Sequence, residues 1–381
     1  MIYFDNAATT GKKPESVIKA VDHALRYFSV NPGRGGYELS QNCAEMVYEC
    51  RRKVCGLFNC EREDKVVFTK NCTESINIVL KGVLQNNDHV ITSSMEHNAV
   101  ARPLYKLGKS GVEVDYAEVI FGDPEATVRS FERLIKSNTK LIICTHASNV
   151  TGEIMPVEAL GKLCHNNNIL FAVDAAQTAG ILPIDMVNMN IDYLCVASHK
   201  GLYAPMGTGI LVTRGNIFDT IIEGGTGTDS ISTSQPLDLP EMLESGTINV
   251  PGIAGLLAGI DFVNSKGIEN IYRNELRLAE YLYKKLRSMG GITVYTPYPQ
   301  YMAIVPTISF NINGIPSAEV AQMLSDMGVA VRAGLHCAPL AHKRIGTLDV
   351  GTVRVCFSVF NNVNEIDMFA NCILKIKHAK K

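Results

Sequence analysis

The stretch DYLCVASHKGLYAPMGTGILV, residues 192–212, decides the fold. An apolar run, Tyr193 to Ala197, ends in Ser198, His199 and Lys200, and a glycine-bearing turn leads to a second apolar run, Ile210 to Val212. Both runs read as buried strands, yet a lysine stands between them. An ammonium buried without a partner is costly, so it either reaches solvent or its charge is put to use.

The same rhythm extends in both directions. KVVFT (65–69), HVIT (89–92), LIICT (141–145), ILFAVD (169–174), YLCVAS (193–198) and GILVT (209–213) are short and almost wholly apolar. Such runs suit strands covered by helices on both faces. Between them lie helical patterns such as TESINIVLKGVL (73–84) and PVEALGKLCHNN (156–167), the latter with a proline at its first helical position. Alternation of this kind predicts an α/β domain around a mostly parallel sheet.

After about residue 250 the pattern changes. A long helix from Glu269 to Met289 is followed by the strand TISFNI (307–312) and a helix over Ser317–Met327. Strands around VAVRAG and TVRVCFSV and a terminal helix complete the chain. This predicts a smaller α+β domain. We expect a large domain over 14–251 and a small one built from 1–13 with 252–381. The segment 223–252, rich in Gly, Ser, Thr and Pro, is long for a connection, and such loops are usually functional or mobile.

Composition narrows the function. With 46% hydrophobic and 19% charged residues the chain is a folded protein, not a disordered one. A net charge of -2 offers no footprint for nucleic acid or an anionic membrane. No apolar stretch reaches the roughly 18 residues of a membrane span. The start, MIYFDNAATTGKK, lacks the basic region of a signal peptide. A cytoplasmic protein is expected. The eleven cysteines contain no CxxC pair. Cys43, Cys50, Cys55 and Cys60 read as small buried thiols, so neither a zinc site nor a disulfide scaffold is expected.

In open α/β sheets, ligands bind outside the carboxyl ends of the strands. After VVFT stands KNCTE, where Thr73 and Glu74 open a helix whose free N–H groups make an anion site. ILFAV ends in DAAQ, with Asp174 and Gln177, and YLCVA ends in SHK. Alone, Asp174 reads as a helix cap, His199 as a hydrogen-bonded core histidine and Lys200 as a solvated strand end. Together they meet the needs of pyridoxal 5′-phosphate. Its aldehyde takes a lysine, its ring nitrogen a carboxylate, and its phosphate N–H groups and hydroxyls. A nicotinamide dinucleotide is the competing ligand, but no GxGxxG stands between a strand and a helix.

The chain resembles the cysteine desulfurases, a class V aminotransferase group within the fold-type I pyridoxal-phosphate enzymes. YFDNAATT, EHNAVARP, SNVTGEIMP, VDAAQTAG, SHKGLYAPMGTGIL, ESGTINVPG, RAGLHCAP and TVRVCFSVFNN carry the likeness nearly end to end. The RxGxHC element resembles the SUF-type and selenocysteine lyase branch. The resemblance implies Lys200 as the Schiff-base lysine, Asp174 at the pyridinium, Gln177 at the ring hydroxyl and His97 stacked on the ring. It implies Thr73, Ser198, His199 and the Cys72 backbone at the phosphate. Thr247 would reach a partner subunit's phosphate site in a homodimer.

Asn149 and Arg354 resemble the substrate carboxylate clamp, with Arg332 assisting, and Cys337 resembles the sulfur-accepting cysteine. His97 would shuttle a proton. The implied reaction takes L-cysteine to L-alanine and passes sulfur through a Cys337 persulfide to an acceptor protein, for example in iron–sulfur cluster assembly. No metal is implied. Selenocysteine lyase, another class V transamination or β-elimination, and a non-catalytic thiol sensor are the alternatives. Two positions depart from the family pattern. Cys72 stands where Thr is common, and Leu335 stands where SUF-type relatives often carry a second histidine.

Overall fold

The computed structural model describes residues 1–32, 35–228 and 230–379. The chain opens with β1 (Ile2–Tyr3), α1 (Glu15–Tyr27), α2 (Glu38–Phe58), β2 (Val66–Thr69) and α3 (Cys72–Val83). Next come β3 (His89–Ser93), α4 (Asn98–Gly108), β4 (Glu113–Ala117), α5 (Pro124–Glu132) and β5 (Thr139–Thr145). After them stand α6 (Val157–Asn166), β6 (Leu170–Asp174), β7 (Tyr193–Ala197) and β8 (Gly209–Thr213). The second part contains α7 (Val250–Lys266), α8 (Ile268–Ser288), β9 (Ile292–Val294), β10 (Thr307–Ile312) and α9 (Ser317–Asp326). It ends with β11 (Val329–Ala330), β12 (Arg332–Gly334), α10 (Pro339–Arg344), β13 (Thr352–Cys356) and α11 (Val363–Ala379).

Seven strands form one sheet in the order β2-β8-β7-β6-β5-β3-β4. The neighbours from β7 through to β4 pair in parallel, while β8 runs antiparallel to both β7 and β2. Chain length explains the exception. Residues 198–208 are all that join β7 to β8, and a parallel crossover needs roughly a dozen residues or more, usually with a helix. The Ser198–Lys200 turn therefore sits at the carboxyl end of β7, beside the end of β6.

The expected strands all form, while β4 and the short β1 and β9 are additional to them. Among the described residues β4 pairs only with β3, and it carries the half-exposed sequence EVDYA, the mixed character of an edge strand. Pro156 takes the cap position just before α6, not the first helical position.

A four-stranded antiparallel sheet, β12-β13-β10-β9, forms a second layer system, and β1 pairs in parallel with β11. Ile253, Leu256, Ile260 and Leu276 share the core of the large sheet, whereas Leu278, Leu282 and Leu286 pack with Phe310, Val355 and Phe369. The two cores thus meet within α8. Helix α7 lies against the lysine turn. A Cβ on Gly259 would stand 2.1 Å from the Leu202 carbonyl oxygen, so only glycine lets the helix approach this closely.

One expectation about the cysteines fails. Cys55 and Cys60 are joined in a disulfide, because α2 ends in a left-handed Asn59 that turns the chain back on its last turn. Among the described residues no group of His, Cys, Asp and Glu could hold a metal ion, and no helix is long and apolar enough to cross a membrane.

Candidate active site

A cavity of about 200 Å³ lies at the carboxyl ends of the large sheet, lined on its far side by residues of β12 and the loop after it. Lys200, Asp174, Gln177, His199, His97, Cys72 and Thr73 line it from the large sheet; Asn149 lines it from the loop after β5. Arg332, Arg354 and Cys337 line it from the small sheet and its loops. The chain thus brings eleven of the expected residues to one space. Two stand apart. Ser198 is buried beneath the turn with no partner for its hydroxyl among the described residues, and Thr247 lines a second cavity with Lys70, Glu74 and Thr208.

Each group is held by its element. Asn71 caps α3 by accepting from the Glu74 N–H at 2.9 Å, which leaves the Cys72 and Thr73 N–H groups open at the helix N-terminus. With Lys200 and the Nδ1 of His199, buried and unpartnered among the described residues, this is a built anion site. Burial pushes His199 down to about 4, with Lys200 and Lys13 adding to the effect, so it is neutral. The Asp174 carboxylate accepts from the Ala176 N–H at 2.9 Å and from the Cys72 thiol at 3.4 Å. Gln177 donates to the Ala7 carbonyl at 3.2 Å, so the N-terminal segment forms part of the wall. Burial lowers the Lys200 pKa, against the opposing pull of Asp174.

His97 sits at the N-cap of α4. Its Nδ1 accepts from the Ala99 N–H at 3.0 Å. When neutral, the ring therefore carries its proton on Nε2. Burial also lowers its pKa, which favours that neutral form.

The loop bearing Cys337 is pinned at two carbonyls. Asn98 donates its N–H to the Cys337 oxygen at 2.7 Å, and Asn149 donates its side-chain amide to the His336 oxygen at 2.8 Å. His336 and Cys337 both take left-handed backbone angles, φ 50 and 57, which non-glycine residues adopt at a cost. The result is an exposed thiol that borders the cavity, with the Arg332 guanidinium 3.9 Å from its sulfur. His336 cannot serve as a second cation there. Burial pushes it down to about 2, and its Nε2 is spent on Thr352.

Arg354 is buried on β13. It donates to the Asn149 carbonyl and to Asp5, each at 3.0 Å, and its Nε has no partner among the described residues. Asp5 and Glu96 are polar residues here to which the sequence motifs assigned no role, though YFDN and EHN contain them.

The class-V aminotransferase family model matches residues 2–369. A probable cysteine desulfurase of Methanothermobacter thermautotrophicus is 33% identical, over 98% of this chain and 94% of its own length. One from Pyrococcus abyssi is 34% identical, over 97% and 92%. The chain belongs to the cysteine desulfurase family. The solved apo structure of a member from Thermococcus onnurineus NA1 superposes with a TM-score of 0.90 at 32% identity, covering 98% of this chain and 94% of that one. An Escherichia coli cysteine desulfurase gives 0.88 at 26%, covering 99% and 94%. This family uses pyridoxal 5′-phosphate, and the cavity fits it: an open helix N-terminus, an orphaned His199 nitrogen, a carboxylate and a buried lysine stand around one space.

Proposed function

We propose that this protein is a pyridoxal-phosphate-dependent cysteine desulfurase, which converts L-cysteine to L-alanine and retains the sulfur as a persulfide on Cys337. The observation that carries this reading is a thiol, Cys337, set on a pinned loop in the same cavity as Lys200 and Asp174. The α3 N-terminus and His199 would hold the phosphate, Asp174 the ring nitrogen, Gln177 the ring hydroxyl and Lys200 the aldehyde carbon, with His97 over the ring. When bound, the cofactor supplies an electron sink for charge formed at the substrate Cα.

The side chains supply the rest. Burial favours the neutral amine of Lys200, the form that takes a proton from Cα. His97 offers Nε2 for proton transfer at the substrate. The Cys337 thiolate attacks the substrate sulfur; an S–S bond forms and the Cβ–S bond breaks, its electron pair passing to the carbon skeleton that leaves as alanine after protonation. Arg354 would pair with the substrate carboxylate, with Arg332 and Asn149 alongside.

Arg354→Ala is therefore expected to lower kcat/KM for L-cysteine by about 10- to 100-fold, the scale of a lost hydrogen bond to a charged group, with bound cofactor unchanged by absorbance. Efficiency within twofold of wild type would remove Arg354 from the substrate site.

The position of Thr247 supports a homodimer. It stands outside its own cavity and beside the start of α3, where it is available to another subunit's phosphate site. The exposed Leu335 and Cys337 suit docking of a sulfur-acceptor protein, with iron–sulfur cluster assembly as one destination. A persulfide carrier needs a reduced thiol, which fits a cytoplasmic setting. Alanine release from L-cysteine and L-selenocysteine, measured side by side, tests the reading. Turnover of L-cysteine that depends on Cys337 is expected, whereas release from L-selenocysteine alone would reassign the protein as a selenocysteine lyase.

A further inference from the structure

Glu96 is fully buried between β3 and His97, and no step above uses it. Its Oε1 accepts from the Ser93 hydroxyl and from the Thr145 N–H, the latter at 3.0 Å. One carboxyl oxygen thus ties the end of β3 to the end of β5. The other, Oε2, is buried with no partner among the described residues. Asp174 faces Glu96 from β6, Cys144 from β5 and Tyr116 from β4, and none of them is a cation.

These contacts fit a protonated carboxyl better than a carboxylate. A neutral acid accepts both bonds on Oε1 and carries its proton on Oε2. An ionised one would add a second negative charge near Asp174, and none of the groups facing it is a cation. Burial, then Asp174, raises the Glu96 pKa to about 8, although the bonds from Ser93 and Thr145 pull the other way.

We propose that Glu96 is a positioning residue that acts as a neutral acid: it locks together the strand ends that carry His97 and Thr145, and it leaves Asp174 as the lone carboxylate presented to the cofactor's ring nitrogen. The second half of this inference rests on the assignment of Asp174 and His97 to the cofactor. The first half rests on the hydrogen bonds alone.

Two variants of the full chain test it. Glu96→Gln keeps an acceptor oxygen and stays neutral at every pH, so its dissociation constant for pyridoxal phosphate and the absorbance of its bound cofactor should remain within about threefold and unshifted, respectively. Glu96→Ala removes the bridge and should weaken cofactor binding by about tenfold or more. Cofactor-free protein gives an independent readout. Unfolded Glu96 loses its proton near 4.5 and folded Glu96 near 8, so between those values the folded state binds the extra proton. Its contribution to stability is complete below 4.5 and is lost as pH rises through 8.

The folding equilibrium constant of wild type, divided by that of Glu96→Gln, should therefore fall by up to about tenfold per pH unit across this window. Parallel pH–stability curves for the two proteins would overturn the neutral-acid assignment. A glutamine variant as weak in cofactor binding as the alanine variant would overturn it as well. Should the protein bind no pyridoxal phosphate at all, the cofactor assignment fails, while the cofactor-free curves still judge Glu96.

Discussion

Cys337→Ser is expected to keep its cofactor and to release alanine from L-cysteine at least about 10²-fold more slowly than wild type, because the sulfur then lacks its nucleophile. The loop around Cys337 is fixed by backbone carbonyls that accept from Asn98 and Asn149, and a serine leaves those bonds intact. Loss of rate can then be assigned to the missing sulfur and not to a collapsed loop. A selenol is a better leaving group than a thiol, so the same variant should keep much of its activity on L-selenocysteine. Steady-state alanine release on both substrates checks this. Near wild-type turnover of L-cysteine by Cys337→Ser would send the sulfur through another thiol, with Cys72, also in the cavity, the first to examine.

Lys200→Ala should be as severe by a different route. Loss of a general base costs about 10²- to 10⁴-fold on its own, and here the covalent attachment of the cofactor is lost with it. Borohydride should no longer fix cofactor to the protein. Cofactor-free Lys200→Ala should be no less stable than wild type, since burial already disfavours the charged form of this amine and its removal lifts a desolvation cost. Borohydride fixation in the variant, at a level equal to wild type, would place the imine on another lysine.

Much of this site was legible because the large sheet is legible. Strands buried on both faces write themselves as apolar runs, and the polar residues at their carboxyl ends carry the chemistry: Asp174 closes β6, and Ser198 to Lys200 stand just past β7. The edge strand β4 escaped because its half-exposed residues alternate with polar ones and imitate a loop. Glu96 escaped for another reason. Its role depends on Thr145, at the end of β5 and 49 residues later in the chain, arriving beside it, and nothing local to EHN signals that. Asp5 and Arg354 meet across 349 residues through the pairing of the N-terminal segment with β13 of the four-stranded sheet. The Cys55–Cys60 disulfide depends on one left-handed residue, Asn59, and the spacing of the two cysteines gives no sign of it. Motifs carried the residues that face the cavity, and long-range contacts supplied the residues that hold them.

The central claim is that sulfur leaves the substrate onto Cys337. Its most direct test is the mass of the Cys337 peptide after the loaded protein has met L-cysteine with no reductant and no acceptor present. A single added sulfur on Cys337, matched mole for mole by released alanine, is the predicted result; an unmodified Cys337 peptide alongside accumulating alanine would contradict it.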